Sequence, residues 1–467
     1  MLPHLHLVAN STIIALSTPP GTGALAIIRM AGPDTFSILD QVFRGKRPSD
    51  ALGYTILYGH IQDPETKATL DEVLVSVFRA PHSYTKEDAV EISCHGAPLI
   101  VRQVISLLCR LGAVLAQPGE FTLRAYKHGR FDLAQAEAVA DLIHAETEAA
   151  QRMAFSQMRG GFSKRLSALR EKLIHFASLI ELELDFGEED VEFANRQDLK
   201  DLLGSLLADI GGLISSFSTG NALKNGVPVV IAGRPNAGKS TLLNALLQDE
   251  RALVSDIPGT TRDTVEDTIV LGGLQFRFID TAGLRETTDV VEAMGVSRTL
   301  QKMQDAQMIL YMLDLHTTDY GALITEAQSA LIPLLADGKQ VILVGNKVDD
   351  VSTAVLALYQ QAFPDLVLIS ALNNLGLDVL TVKLINTVQL HLPSETDVVV
   401  SNLRHVEALR LAEAALERAL TGLHNGLTGD FLALDIRHGL YHLGEITGEI
   451  TTDDLLGNIF SRFCIGK

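Results

Sequence analysis

Residues 233–240 read Gly-Arg-Pro-Asn-Ala-Gly-Lys-Ser and lie between an apolar segment, 227–232, and a segment with helical spacing, 241–247. The pattern G-x-x-x-x-G-K-S between a strand and a helix is typical of a phosphate-binding loop, because its glycines let backbone N–H groups surround phosphate oxygens. The helix N-terminus adds a favourable dipole. We expect Lys239 to reach the β- and γ-phosphates and the Ser240 hydroxyl to bind Mg²⁺. The stretch therefore predicts an α/β domain that binds a nucleoside triphosphate.

Three more motifs stand at the ends of predicted strands and indicate the base. In Asp280-Thr-Ala-Gly283, the aspartate is expected to hold the metal through water and the Gly283 N–H to contact the γ-phosphate. In Asn346-Lys-Val-Asp349, the Asp349 carboxylate can accept N1–H and the exocyclic amine of guanine, whereas adenine would leave it unpaired. Ser370-Ala-Leu372 suits a backbone contact to guanine O6. Each motif alone fits an ordinary turn, but together and in this order they predict GTP.

The predicted GTP site takes its residues from five segments. They are Asn236, Ala237, Gly238, Lys239, Ser240 and Thr241; Ser255, Asp256, Ile257, Pro258, Gly259, Thr260 and Thr261; Asp280, Thr281, Ala282 and Gly283; Asn346, Lys347, Val348 and Asp349; and Ser370, Ala371 and Leu372. Thr261 is expected to bind Mg²⁺ beside Ser240. We expect Lys239, Thr261 and Gly283 to act on the transferred phosphate.

The residue after Gly283 is Leu284, at the position where many small GTPases carry the glutamine that orients the attacking water. Leucine accepts no hydrogen bond, so the chain either hydrolyses GTP slowly alone or places the water by another route. One route is a K⁺ ion gathered by switch-loop carbonyls, the Thr260 hydroxyl and Asn236, which would supply the charge of an arginine finger. Another is Glu292, although its spacing alone favours an exposed residue at a helix start.

The segments before residue 130 predict an α+β domain. Short strands are predicted at 12–17, 24–29, 54–61, 72–78 and 89–94, with one helix over 97–111. From about Asp132 the apolar period becomes helical, with Leu133, Ala136, Ala140 and Ile143 on one face, and it continues to about Phe217. Helical spacing returns over 402–423 and 431–463.

Between the two helical blocks, strands predicted at 227–232, 275–280, 308–313, 340–345 and 366–369 alternate with helices, which implies a parallel sheet. We therefore predict a multidomain α/β and α+β chain, in which a P-loop, Ras-like G domain is inserted into a helical domain. The predicted limits are 1–128 for the amino-terminal domain, 129–222 and 391–467 for the helical domain, and 223–390 for the G domain.

Composition limits the function classes. The 467 residues include 57 acidic and 38 basic side chains, a net charge of −19, which opposes broad, sequence-independent binding of nucleic acid but allows a local basic patch or a basic partner. Cys94, Cys109 and Cys464 are too few and too scattered for a disulfide framework or a zinc site. No uninterrupted apolar run of membrane-spanning length appears, and residues 1–10 lack the pattern of a signal peptide, so we expect a cytoplasmic protein without a membrane span.

Several strings resemble the MnmE (TrmE) family of tRNA-modification GTPases. Besides the phosphate loop, they are Pro258-Gly-Thr-Thr-Arg-Asp263, Asp280-Thr-Ala-Gly-Leu-Arg285, Ser83-Tyr-Thr-Lys-Glu-Asp-Ala-Val-Glu91, Pro118-Gly-Glu-Phe121 and the ending Phe463-Cys-Ile-Gly-Lys467. The resemblance covers essentially the whole chain. It implies an amino-terminal folate-binding domain that dimerises, a helical domain and an inserted G domain.

The resemblance also implies residue roles. Arg29, Glu91, Arg130 and Lys467 would bind a 5,10-methylene- or 5-formyl-tetrahydrofolate; Asn236, Ser255, Ile257 and Thr260 would bind K⁺; and Glu292 would position the water. Glutamate suits the donors of a pterin, and arginine and lysine suit the carboxylates of folate. Arg130 departs from the lysine expected there, Leu372 departs from the usual Ser-Ala-Lys, and Pro258 replaces a smaller residue.

The function that the resemblance implies is a step in tRNA modification. With a flavin-dependent, MnmG (GidA)-type partner in a heterotetramer, a homodimer of the chain would place an aminomethyl-class group on C5 of the wobble uridine, U34, of tRNA. An Era-like regulatory GTPase of ribosome assembly, without folate chemistry, is the alternative. For Cys464, a covalent role near the one-carbon unit and a purely structural role both stay open.

Overall fold

The computed structural model describes residues 11–185, 196–251, 267–279, 306–317, 319–336, 339–389, 398–461 and 463–466. The chain divides into two compact units. The first consists of the described residues in Met1–His144, Ala154–Ala208 and Ala408–Lys467, and the second of those in Ala145–Met153 and Asp209–Glu407. Because the chain leaves the first unit and later returns to it, the second unit is an insertion, as predicted. The predicted domain limits at residues 128, 222 and 390 stay predictions.

The first unit contains a mainly antiparallel seven-stranded sheet. Its strands are β1 (Ile13–Leu16), β2 (Leu25–Ala31), β3 (Phe43–Gly45), β4 (Thr55–Gln62), β5 (Thr69–Phe78), β6 (Ala89–His95) and β7 (Val114–Leu115), in the order β3-β4-β5-β6-β2-β1-β7. Only the pair β1–β7 is parallel. Alternate residues such as Ile28, Met30, Val75 and Ile92 have 0% of their surface exposed and form a core with the helices α1 (Thr35–Val42) and α2 (Pro98–Arg110). The sequence pattern thus located β1, β2, β4, β5, β6 and α2.

The prediction of a single helix in this region is wrong, because α1 was missed and α3 (Glu120–Lys127) begins before the domain ends. α1 has only eight residues, which is about two turns and too few for a clear helical period. Its buried residues are nevertheless spaced as a helix face: Thr35, Phe36, Ile38, Leu39 and Val42.

Further helices complete the first unit or link it to the second. They are α4 (Leu133–Ile143), α5 (Glu148–Met158), α6 (Gly161–Asp185), α7 (Arg196–Ser215), α13 (Leu403–His424), α14 (Gly429–Thr447) and α15 (Asp453–Phe460), the labels α8 to α12 belonging to the second unit. α4 begins with a capping box in which Asp132 and Gln135 exchange hydrogen bonds. Its first turn packs Leu133 and Ala136 against Phe460. The prediction that Ile143 shares this buried face is wrong, because it is the last helical residue and is 42% exposed.

The second unit contains a six-stranded sheet. Its strands are β8 (Val227–Gly233), β9 (Asp267–Leu271), β10 (Leu274–Phe278), β11 (Met308–Asp314), β12 (Gln340–Asn346) and β13 (Val367–Leu368), in the order β13-β12-β11-β8-β10-β9. The helices are α8 (Phe217–Asn225), α9 (Lys239–Arg251), α10 (Tyr320–Ala336), α11 (Thr353–Ala362) and α12 (Leu377–Gln389). β8 pairs in parallel with both β10 and β11, and β12 pairs in parallel with β11 and β13. This confirms the predicted inserted α/β domain.

One strand of this sheet was not predicted. β9 pairs antiparallel with β10 through a two-residue turn, Gly272-Gly273, in which both glycines have positive φ angles of 57° and 77°. Such a turn is typical of a tight hairpin, and its Gly-Gly sequence was available as a signal. The five predicted strands pair in parallel as expected, and β9 adds an antiparallel edge strand that the sequence analysis missed.

By length and composition alone, one helical stretch of the described residues is long and apolar enough to cross a membrane. It is Arg196–Asn225, which includes α7 and α8. A single stretch of this kind is weak evidence, so the expected absence of a membrane span stays a prediction.

Candidate functional site

The phosphate-loop sequence lies at the carboxyl end of β8, and its glycines are required by the geometry. Gly233 has a φ of 142°, and a Cβ there would lie 2.4 Å from the carbonyl oxygen of Met312. Gly238 has a φ of 93°, and a Cβ there would lie 2.2 Å from Nδ2 of Asn346. Asn236 between them adopts a left-handed φ of 62°. Any side chain at 233 or 238 would force the loop away from β11 or β12.

Lys239 is the first residue of α9, and its ammonium group turns back over the loop. Nζ donates hydrogen bonds to the carbonyl oxygens of Gly233 at 3.0 Å and Arg234 at 2.9 Å. Burial lowers the pKa of this lysine from its ordinary value. Because both acceptors belong to the loop itself, the positive charge is held over the loop, where the sequence analysis expects it to reach a phosphate group.

Asn346, the last residue of β12, joins two parts of the site. It is 3% exposed, its Nδ2 donates to the carbonyl oxygen of Ala237 at 2.8 Å, and its Oδ1 accepts the N–H of Ala371 at 2.9 Å. The buried Asn346 amide thus fixes the phosphate loop and the loop after β13 to each other. Loss of either bond would leave a buried polar group unpaired, at about 1–3 kcal/mol.

Asp349 carries its carboxylate at the rim of the same edge. The Ser370 hydroxyl, a backbone N–H and the Asn373 amide hold the pKa of this carboxyl below its usual value by hydrogen bonding. The Asn373 bond, from Nδ2 to Oδ2, measures 2.9 Å. A carboxylate ionised at neutral pH is an acceptor only, which is what two adjacent N–H donors of a guanine require.

Two residues that the sequence analysis missed support this edge. Asp314 ends β11 in register with Asn346, and its Oδ2 accepts a hydrogen bond from Nζ of Lys347 at 2.6 Å. Lys347 has a left-handed φ of 69°. The signal for Asp314 was its place at the carboxyl end of a parallel strand, where ligands of α/β sheets bind. Asn373 lies in the turn after β13 and carried no such signal.

These segments enclose a cavity of about 570 Å³, within the size range of small-molecule sites. The cavity is lined by Pro235, Asn236, Gly238, Lys239, Ser240, Thr241, Asn346, Lys347, Asp349, Asp350, Ser370 and Leu372. Ala237 and Ala371 lie behind this lining, 0% and 3% exposed, and Val348 donates its N–H to Ile369. The structure thus brings three of the predicted motifs around one space.

The other predicted residues lie outside the described part of the chain. They are Ser255, Asp256, Ile257, Pro258, Gly259, Thr260, Thr261, Asp280, Thr281, Ala282, Gly283, Glu292 and Lys467. Their roles stay predictions.

A second group of predicted residues meets on the sheet of the first unit. Arg29 on β2 faces Glu91 on β6, and its Nε and Nη2 both donate to Oε1 of Glu91, at 3.0 and 2.7 Å. The third nitrogen, Nη1, donates to the carbonyl oxygen of Gly466 at 3.2 Å, and the Ser17 hydroxyl donates to the same oxygen at 3.3 Å. The end of the chain therefore lies directly on the strands that carry Arg29 and Glu91.

Arg130, the third predicted folate residue, lies close to this pair through an aromatic ring. Its guanidinium carbon is 4.9 Å from the ring centre of Tyr84, and that of Arg29 is 5.2 Å from the same ring. Nη1 of Arg130 donates to the carbonyl oxygen of Ser83 at 2.7 Å. Nearby, the exposed Cys464 accepts the N–H of Gly119 with its carbonyl oxygen. Neither role considered for the thiol is tested by this contact.

Comparison with known proteins identifies the family of the chain. A family model described as the MnmE helical domain matches residues 133–464, and one described as the GTP-binding protein TrmE N-terminus matches residues 12–130. The tRNA modification GTPase MnmE of Cytophaga hutchinsonii is 51% identical over 98% of both chains. The chain belongs to the MnmE family of tRNA modification GTPases. It is thus a GTP hydrolase that acts in tRNA modification, as the resemblance predicted.

Further relatives bear the same description. The MnmE of Christiangramia forsetii is 48% identical over 98% of this chain and 99% of its own, and that of Flavobacterium psychrophilum is 47% identical over 99% and 100%. Among solved structures, the G domain of the T. maritima FeoB iron transporter matches 34% of this chain and 97% of its own, at 24% identity and a TM-score of 0.25.

Membership of the family implies GTP as substrate, GDP as product and Mg²⁺ as the metal. The residues present fit this metal, because a phosphate-loop site needs only one or two protein hydroxyls beside the phosphate oxygens. Ser240 lines the cavity next to Lys239. The described residues contain no cluster of three His, Cys, Asp or Glu side chains suited to a metal. Such a cluster is not required for Mg²⁺ bound mainly by nucleotide.

Proposed function

We propose that the chain is the GTPase component of an enzyme that modifies C5 of the wobble uridine, U34, in tRNA. In this proposal a 5,10-methylene- or 5-formyl-tetrahydrofolate supplies the one-carbon unit, and a flavin-dependent, MnmG-type partner completes a heterotetramer with a homodimer of this chain in the cytoplasm. The product is an aminomethyl- or carboxymethylaminomethyl-class uridine. GTP hydrolysis drives a conformational step.

The observation that carries the folate part is the cluster of Arg29, Glu91 and the chain end at Gly466. The two hydrogen bonds that Arg29 donates to Glu91 both end on Oε1, and within the described residues no hydrogen bond reaches Oε2. That oxygen is suited to accept the amine and N–H donors of a pterin, and the cationic groups around it suit the carboxylates of a folate. The Era-like alternative is not favoured, because family models match both the amino-terminal segment and the helical segment.

The folate assignment is tested by calorimetric titration of the intact protein with 5-formyl-tetrahydrofolate. We expect saturable binding by the wild type and at least about tenfold weaker binding by Glu91→Gln, since an amide replaces one ionised acceptor with a donor. Glu72→Gln, which changes an exposed carboxylate on β5, is the matched control. Absence of binding by the wild type would contradict the folate assignment and favour a GTPase that acts as a switch alone.

We further propose that K⁺ supports catalysis at the GTP site. Asn236 lines the cavity with its left-handed backbone, and the other proposed ligands are Ser255, Ile257 and Thr260. A cation there would replace the charge of an arginine finger, and Glu292 would position the water in place of the glutamine absent at Leu284. Exchange of Na⁺ for K⁺ at constant ionic strength is expected to raise GTP turnover at least about tenfold. Equal turnover in the two salts would contradict the proposal.

The proposed homodimer is supported by one face of the amino-terminal sheet. Opposite the buried core, the neighbouring strands β4 and β5 expose Ile56 (67%), Tyr58 (62%) and Leu74 (46%), and Tyr58 pairs directly with Leu74. An exposed apolar cluster of this kind often marks a contact surface. The same face of the sheet carries Arg29 and Glu91, because Ser76, two residues from Leu74, pairs with Glu91, and Glu91 pairs with Arg29.

Ile56→Lys is therefore expected to convert the dimer to a monomer, because a charge cannot be buried between two apolar sheet faces without a partner. Light scattering coupled to gel filtration would report the mass. Gln41→Lys, an exposed position on α1 on the opposite side of the sheet, should leave the mass unchanged. A dimer that persists in Ile56→Lys would place the contact elsewhere.

A further inference from the structure

Tyr84 lies between two guanidinium groups that belong to the proposed folate site. The guanidinium carbons of Arg29 and Arg130 are 5.2 and 4.9 Å from its ring centre. Each arginine also contacts one other ring: Arg29 lies 5.7 Å from Phe121, and Arg130 lies 5.1 Å from Phe131. Tyr84 is the only ring that both arginines share among the described residues.

The tyrosine ring is held in one orientation. Its hydroxyl group is hydrogen-bonded to the Thr122 hydroxyl at 2.9 Å, and Thr122 is 0% exposed on α3. Burial raises the pKa of Tyr84 above its ordinary value, so the hydroxyl stays protonated at neutral pH. The ring packs against the small core that contains Phe121. Because its hydroxyl group is anchored, the ring of Tyr84 is held at a fixed position between the two arginines.

Two like charges near one another repel, and the ring offsets this repulsion. A cation over an aromatic ring is attracted to the ring, and the attraction is stronger when the pair is shielded from water. The Arg29 side chain is only 15% exposed, so its contact with the ring is of this stronger kind. Among the described residues, the Arg130 guanidinium donates one hydrogen bond, to Ser83, so its contact with the Tyr84 ring contributes much to its fixed position.

We propose that Tyr84 is a positioning residue for the folate site, which holds Arg29 and Arg130 at the spacing that the carboxylates and pterin of a folate require. The inference rests on the proposed folate function. In that function the arginines touch the ligand, and Tyr84 acts through them. Its aromatic ring carries the effect, and its hydroxyl group only anchors the ring.

The test compares three variants of the full-length chain by calorimetric titration with 5-formyl-tetrahydrofolate. Tyr84→Leu removes the ring and is expected to weaken binding about tenfold or more. Tyr84→Phe keeps the ring and should bind within about threefold of the wild type. Phe131→Leu removes a neighbouring ring that contacts Arg130 and the edge of Tyr84, whereas the rings at Arg29 are Tyr84 and Phe121. Because this comparison variant leaves the contact of Arg29 with Tyr84 in place, its affinity should fall between those of Tyr84→Phe and Tyr84→Leu. GTP turnover, measured on the same samples, should be unchanged because the GTP cavity lies in the other unit.

Two outcomes would overturn the inference while leaving the folate function intact. In the first, Tyr84→Leu binds as tightly as Tyr84→Phe. In the second, Tyr84→Phe loses as much affinity as Tyr84→Leu, which would assign the effect to the hydroxyl group. If Tyr84→Leu does not fold, Tyr84→Met, whose flexible side chain fills a similar space, takes its place with the same expectations. A wild type that binds no folate would instead contradict the proposed function itself.

Discussion

Replacement of Asp349 by asparagine is expected to lower the affinity for GTP by about a hundredfold or more. The ionised carboxylate accepts two hydrogen bonds from guanine, and an asparagine would set a donor against one of those donors. The hydrogen bonds from Ser370 and Asn373 keep the Asp349 carboxylate charged and oriented, so the wild-type site is built for an acceptor. The measurement is a competition titration with a fluorescent GDP analogue.

Binding of xanthosine triphosphate tests more directly whether Asp349 contacts the base. Xanthine carries an oxygen where guanine carries its exocyclic amine, so the amide of Asp349→Asn should bind it better than the wild type does. Asp350→Asn is the matched control, because Asp350 lines the same cavity one residue further along. A uniform loss of both nucleotides, or an equal effect at Asp350, would mean that Asp349 does not contact the base.

Gly238→Ala is expected to lower the affinity for guanine nucleotides by about a hundredfold or more. Its Cβ would approach Nδ2 of Asn346 to 2.2 Å, on a backbone with a φ of 93°. Asn346 would have to move, which breaks its bonds to the carbonyl oxygen of Ala237 and the N–H of Ala371. The phosphate loop and the loop after β13 would then no longer be fixed to each other.

Gly273→Ala separates this effect from ordinary backbone strain. Gly273 also has a positive φ, of 77°, but a Cβ there would meet nothing within 4 Å. This variant should lose about 1 kcal/mol of stability and keep its GDP affinity. Titration and thermal unfolding of both variants give the comparison. Tight GDP binding by Gly238→Ala would contradict the described loop geometry.

The sequence predicted the inserted α/β domain, and three of the predicted motifs lie around one cavity, because G-x-x-x-x-G-K-S and N-K-x-D are local patterns whose geometry follows from a strand end. Asn346 and Asp349 were identified from four consecutive letters. What those letters do not contain is their support from distant segments. Asp314 precedes Lys347 by 33 residues, and only the register of β11 with β12 brings the two together.

The amino-terminal site was predictable only through family resemblance. Glu91 on an alternating strand reads as a surface carboxylate until its partner is known. That partner, Arg29, is 62 residues away, and the carbonyl oxygen of Gly466 that completes the contact is 437 residues from Arg29. Local periodicity carries no information on contacts of this range. Tyr84 was missed for the same reason, since its role depends on two arginines from separate segments.

Weak local signals account for the errors in the predicted secondary structure. The two turns of α1 are too short to establish a period, and β9 was missed although its Gly272-Gly273 turn was visible. Ile143 matched the apolar period but stands at the end of α4, where the packing partners of Leu133 and Ala136 no longer reach. The hydrophobic pattern of the sequence thus located the long helices and strands. The ends of these elements, and short elements such as α1, depend on tertiary packing that the pattern does not contain.

The central claim is that this chain's GTP cycle serves the modification of U34 in tRNA. Mass spectrometry of nucleosides from a strain that lacks the gene tests it most directly, with the strain complemented by the wild type, Gly238→Ala or Gly273→Ala. The account predicts that the C5-substituted wobble uridine disappears in the deletion strain and returns with the wild type and Gly273→Ala but not with Gly238→Ala. Unchanged wobble-uridine modification in the deletion strain would contradict it.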